Sequence, residues 1–213
     1  MVRTIDPHRS LVAMHDLVIG EVTGLMEGFY SNLEDGLFEL AYRNKQADYH
    51  RFCFEMMREL RHRRPQLMET FTECLRTAVN DWYADERGRA MGHETDAAQL
   101  EPELEELADS MSRKCMAHFN GLLSLLSTQI ASITGQSCAP EQLPIGPASI
   151  ARQFVLSCRR LEFAPESIVV VRELFLRFVL DRLGSVYGRC NQSLAKQTKH
   201  MLSNAVPILS ATV

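Results

Sequence analysis

The chain has 213 residues, 46% of them apolar and 23% charged, with a formal net charge of -4. That apolar share can build one substantial core and sets the chain apart from disordered proteins, while the mildly acidic balance lacks the basic footprint that nucleic-acid binders usually carry. Six cysteines stand singly, with no CxxC pair and no secretory leader ahead of them, so reduced thiols in a cytoplasmic protein are expected, Cys138 alone falling in a loop that could expose it.

Asp6-Pro7 reads as a helix start, and from there Leu11, Met14, Val18, Val22, Leu25, Phe29, Leu33, Leu37 and Leu40 recur at intervals of three or four. This predicts one helix over 7–42, bent near Asp35-Gly36. Within it Gly20, Gly24 and Gly28 share a stripe, and Gly184 and Gly188 repeat the spacing near the other end. Each helical glycine costs about 1 kcal/mol relative to alanine, so the stripe predicts a closely packed neighbour, either the last helix of this chain or a second copy in a homodimer seam.

Asn44 can cap the next helix, over 45–83, in which Tyr49, Phe52, Met56, Leu60, Leu67, Phe71, Leu75, Val79 and Trp82 keep the same period. Pro65 predicts a kink or break at Arg64, because proline removes a backbone donor and restricts the residue before it. Just ahead of it Arg58, Arg61, Arg63 and Arg64 crowd together with His62. Arginine forks suit phosphates and carboxylates, which points to an acidic protein partner or, as the alternative, to nucleotide or nucleic acid. Glu55 and Glu59 stand three and four residues before Arg58 and Arg63, the spacing of a self-paired solvated face.

Residues 84–98 lack apolar periodicity and read as a surface loop. A third helix is predicted over 101–134, with its stripe from Leu104 to Ile133, a stop at Gly135, and Glu101, Glu103, Glu105 and Glu106 placed where the helix dipole favours negative charge. From Cys115 to Pro140 there is no charged residue, yet polar side chains interrupt the run too often for a membrane span, so a helix buried on several sides is expected. Pro147 and Pro165 open helices over 147–161 and 165–200, and 201–213 forms an apolar tail.

No phosphate-binding glycine loop, GxGxxG, GxSxG or HExxH pattern is present, and the seven histidines include no pair at i, i+4. The sequence therefore predicts no catalytic residues, no metal and no cofactor.

Two stretches, LEDGLFELAYRNKQADYHRFCFEMMRELRHRRPQLMETF and LEFAPESIVVVRELFLRFVLDRLGSVYGRCNQSL, carry the patterns D-x-LFELA and F-x-x-MRELR-x-RRP and a spaced set of Leu180, Leu183, Val186 and Tyr187. In these the chain resembles the N-terminal part of a bacterial family of unknown function whose members are often labelled thymidine-phosphorylase-like. The resemblance implies a cytoplasmic protein that is usually longer than this chain, with the tail as the stump of what continues in relatives. It brings no catalytic residue with it, and nothing in the residues themselves supports a nucleoside-processing enzyme.

The sequence thus predicts a single all-α domain over 1–213, a bundle of about five to six mostly antiparallel helices of which three are long. Its expected role is a non-enzymatic interaction or regulatory module that meets protein through helix faces and has no membrane segment.

Overall fold

Proline in the first turn opens five helices, where its missing N–H costs nothing and its fixed φ suits the geometry. The computed structural model describes residues 7–44, 46–88, 100–135 and 137–205. Among them run eight α-helices: α1 (Pro7–Ser31), α2 (Leu33–Arg43), α3 (Ala47–His62), α4 (Arg64–Gly88), α5 (Pro102–Thr134), α6 (Pro147–Arg160), α7 (Pro165–Phe178) and α8 (Leu183–Ala205), with short 3-10 turns at Pro140–Gln142 and Leu180–Arg182. No strand occurs among the described residues, and the fold is all-α.

Three of the five predicted rods are each two helices. The first breaks at Asn32 and not near Asp35-Gly36, because the Asn32 side chain donates to the Gly28 carbonyl at 2.7 Å and so competes with the backbone ladder. The second breaks at Arg63, one residue before the expected place, and Pro65 enters the first turn of α4. The third is interrupted at Val179 and the 3-10 turn after it, which no proline or glycine announces. In a 3-10 turn residues three apart eclipse, so Leu180 and Leu183 face the same way, and both, like Val179 before them, reach the interior at 0% exposure. Helices α5 and α6 stay unbroken over their predicted spans, and α5 ends as expected at Gly135, whose φ of 75° places it in the left-handed region. Helix α4 runs past residue 83 to Gly88, and α8 past residue 200 to Ala205; the rest of the predicted loop and tail, 89–99 and 206–213, lies outside the described residues.

The apolar stripes meet in one core. Phe154 of α6 and Phe175 of α7 stack with ring centroids 3.8 Å apart. Phe29 of α1 and Phe71 of α4 meet both rings edge-on at 5.9 to 6.5 Å. Around this quartet α5 packs on α6 and α8, α4 on α6, α1 on α8 and α2 on α3. Tyr187, fully buried on α8, donates its hydroxyl to the Ile145 carbonyl at 3.0 Å and fixes the loop before α6.

The uncharged half of α5 buries Cys115, Phe119, Leu123, Leu126 and Ile130, but Ala117, Asn120, Gly121, Ser124, Leu125 and Thr128 face solvent. It is therefore a one-sided helix and not one surrounded on several sides. Its hydroxyls are partly satisfied within the helix, as where Thr128 donates to the Ser124 carbonyl at 2.9 Å. No helix among the described residues is long and apolar enough to cross a membrane.

For packing of α1 on the last helix of this chain, the glycines correct the expectation. A Cβ at Gly20, Gly24, Gly28 or Gly188 would meet nothing within 4 Å, so among the described residues no helix lies against the α1 stripe. The close approaches are elsewhere: a Cβ at Gly184 would sit 2.8 Å from the Phe119 ring, and one at Gly36 2.7 Å from Leu174. Gly20→Ala and Gly24→Ala should each stabilise the fold by up to about 1 kcal/mol through helix propensity. Gly184→Ala should destabilise it by about 1 kcal/mol because the Phe119 ring must shift; urea midpoints for the three variants check the opposite signs.

His15 on α1 is 2% exposed and meets Trp82 edge-on at 5.8 Å. Burial disfavours its charged form and lowers its pKa from 6.5 to about 4. The folded value lies below the unfolded one, so unfolding takes up a proton as the pH falls through 6.5. Stability should therefore drop by about 3 kcal/mol between pH 6.5 and 4 on this account, and the drop should be missing from His15→Leu and appear in the difference between wild type and that variant in paired urea titrations.

Candidate interaction surface

Helices α2 and α3 form a hairpin. Leu33, Leu37 and Ala41 of the first and Cys53, Met56 and Leu60 of the second turn inward. Residues that fall off these stripes face out, and three are aromatic. Phe38 is 59% exposed, Tyr42 is 80% exposed and stands one turn further on the same face of α2, and Phe54 on α3 is 52% exposed. Glu39 lies between Arg43 and Arg177, accepting from the Arg177 guanidinium at 2.8 Å, and that pairing holds its carboxyl below the usual range while tying the hairpin to α7.

The arginine cluster divides by role. Arg61 pairs with Glu34 and joins α3 to α2. Arg63 donates to the Leu161 carbonyl, stands 3.5 Å from Glu59 and lies over the Phe163 ring at 5.3 Å, so it clamps the break between α3 and α4 onto the loop before α7. Arg64 covers the Tyr30 ring at 5.1 Å and reaches back to α1. Arg58 is exposed and has no ion pair among the described residues. It lines a surface groove with Glu55, Arg61, His62 and Pro65. Of the two charge pairs expected from spacing, Glu59 with Arg63 forms, and the structure shows none between Glu55 and Arg58.

Among the glycines, Gly20 and Gly24 are exposed and Gly28 half-buried, while Gly184 and Gly188 are half-buried on α8. Only Gly184 fills the packing role, against Phe119. The six cysteines are all buried, and Cys138, the loop cysteine, is 6% exposed, so the expectation of an exposed loop thiol is corrected: the loop folds back, with Ser127 of α5 donating to the Cys138 carbonyl. Burial pushes the thiols of Cys115 and Cys190 up to about 12.

A cleft of about 430 Å³ lies between α4, α5 and α6, with Asp81, Glu105, Asp109, Glu141, Arg152 and Gln153 on its walls. Arg152 donates to both Glu105 oxygens, at 3.0 and 3.2 Å, and bridges α6 to α5. Among the described residues no three histidine, cysteine or carboxylate side chains are grouped to hold a metal ion.

An all-helical domain with an exposed aromatic hairpin is the class that fold and surface define. The family model described as "Protein of unknown function (DUF1631) N-terminal domain" matches residues 6–198, and the chain belongs to that family. No curated protein and no solved structure matches the chain.

Arg63→Ala should lower stability by roughly 1–2 kcal/mol, since it strips a carbonyl of its donor and an aromatic face of its cation. Arg58→Ala should stay within about 0.5 kcal/mol of wild type. Urea denaturation of the two single variants separates clamp from surface.

Proposed function

We propose that the domain is a non-enzymatic interaction or regulatory module of a bacterial cytoplasmic protein, and that it meets a protein partner through the outer face of the α2–α3 hairpin. The observation that carries this reading is the exposure of Phe38, Tyr42 and Phe54, at 59%, 80% and 52%, on two helices packed against each other. Aromatic side chains and arginine supply most of the binding energy at protein interfaces, and Arg58 adds a guanidinium on the same hairpin. Buried thiols outside any disulfide agree with a reducing compartment.

A protein partner is favoured over nucleotide or nucleic acid because Arg61, Arg63 and Arg64 engage side chains or carbonyls of the chain itself. Phosphate binding would need those guanidinium groups at a cost in folding energy.

The test compares wild type with the triple variant Phe38→Ser, Tyr42→Ser, Phe54→Ser. Its thermal midpoint should be unchanged. A partner recovered from native extract should bind the purified wild-type domain by calorimetry and bind the variant at least about ten-fold more weakly. Equal affinity for both would refute the assignment of this face, and sedimentation velocity distinguishes a second copy of the chain from a different protein.

A further inference from the structure

We propose that a second face of the domain, distinct from the aromatic face of the hairpin, docks a basic amphipathic peptide segment: one apolar side chain enters a groove between the start of α5 and the start of α7, and flanking lysines or arginines meet carboxylates at its rim and along α5. The groove has a volume of about 600 Å³, and its floor is made of Leu104, Phe163 and Ile168. Its rim carries Glu101, Glu103, Arg159 and Glu162.

Charge decides what fits. Arg159 is taken by Glu101 at 2.7 Å and is also the one guanidinium of the groove in electrostatic reach of Glu162, so three rim carboxylates share a single cation, Glu103 and Glu162 making no direct ion pair among the described residues. Both are exposed, and Glu162 is held at a φ of 56°, the one residue other than glycine in the left-handed region among those described. Glu106 and Asp109 follow Glu103 at i+3 and i+6 and are exposed as well. Glu106 lies one turn on from Glu103, and with Asp109, further around the helix, it lines a neighbouring groove toward α6.

The helix dipole accounts for acidic residues in the first turn of α5, but its effect falls off within that turn. It does not account for Glu106 and Asp109. The first cation on α5 is Arg113, four residues after Asp109, so Glu103 and Glu106 have no basic neighbour one turn away on their own helix. An apolar floor with an unbalanced acidic rim selects against acidic and purely apolar occupants and in favour of a cationic amphipathic one.

The probe is a fluorescent 18-residue peptide of leucine, alanine and lysine with leucines at i, i+3, i+4 and i+7, titrated with the full chain by anisotropy. Two control peptides replace all lysines by glutamate, or all leucines by serine. The lysine–leucine peptide should bind, and both controls should bind at least ten-fold more weakly. Glu103→Lys with Glu162→Lys should weaken binding at least ten-fold, and so should Ala164→Trp, which fills the groove and leaves every carboxylate in place. The hairpin variant Phe38→Ser, Tyr42→Ser, Phe54→Ser should bind the peptide as wild type does, which separates this surface from the one proposed above. Absence of binding overturns the proposal, as does equal binding of the serine control or full affinity in Ala164→Trp; either of the last two would reduce the face to diffuse charge attraction. Thermal melts accompany each variant, and if Ala164→Trp is unfolded, the charge-reversal pair and the serine control decide.

Discussion

The stacked rings of Phe154 and Phe175 are the constraint on which the arrangement of helices depends. Each ring is fully buried, and the pair is flanked edge-on by Phe29 and Phe71, so four helices that are distant in sequence converge on one aromatic contact. Edge-to-face and stacked geometries are directional, and they fix the angle at which α1, α4, α6 and α7 meet more tightly than aliphatic burial would. Once these helices are set, α5 is confined to the side of α6, and α8 fills the channel between α1 and α5. The hairpin of α2 and α3 joins this core through Leu33, Leu37, Met56 and Leu60, with Gly36 against Leu174 and polar clamps beside them.

Those clamps follow a common plan. Arg61, Arg63, Arg152, Arg159, Arg177 and Arg189 each reach from one helix to a carboxylate or carbonyl on another. Most are exposed, and a solvated ion pair contributes little free energy. Their value is in orientation, because the aromatic core leaves the helix ends free to splay and the forks hold them. This is why the RHRRP segment resembles a binding patch in sequence and acts mainly as a fastening in three dimensions.

The fold was legible where periodicity is long and regular. The predicted stripe residues of α1, α4, α5 and α8 are buried almost throughout, as Val22, Phe71, Leu126 and Val186 illustrate. Helix breaks were legible only where proline marks them; Asn32 acts through a side-chain hydrogen bond, and the break at Val179 has no proline, glycine or capping side chain to announce it. Spacing reveals which face is apolar and cannot reveal how near a neighbour comes, so Gly20 and Gly24 suggested a contact while Gly36 and Gly184 make one. For the surface, the signal was present and unread: Phe38, Tyr42 and Phe54 occupy positions where an amphipathic helix wants polar residues, and large aromatics there have no core to enter.

The burial of the cysteines has a consequence for how the molecule breathes. Cys53, Cys74, Cys115, Cys158 and Cys190 sit on five different helices and Cys138 in the loop before α6, all out of reach of solvent. An alkylating reagent can modify such a sulfur only in the fraction of molecules in which its own helix has lifted away. The chain thus carries native reporters of regional opening, and the order in which its thiols are trapped would rank the helices by the energy that keeps each one docked.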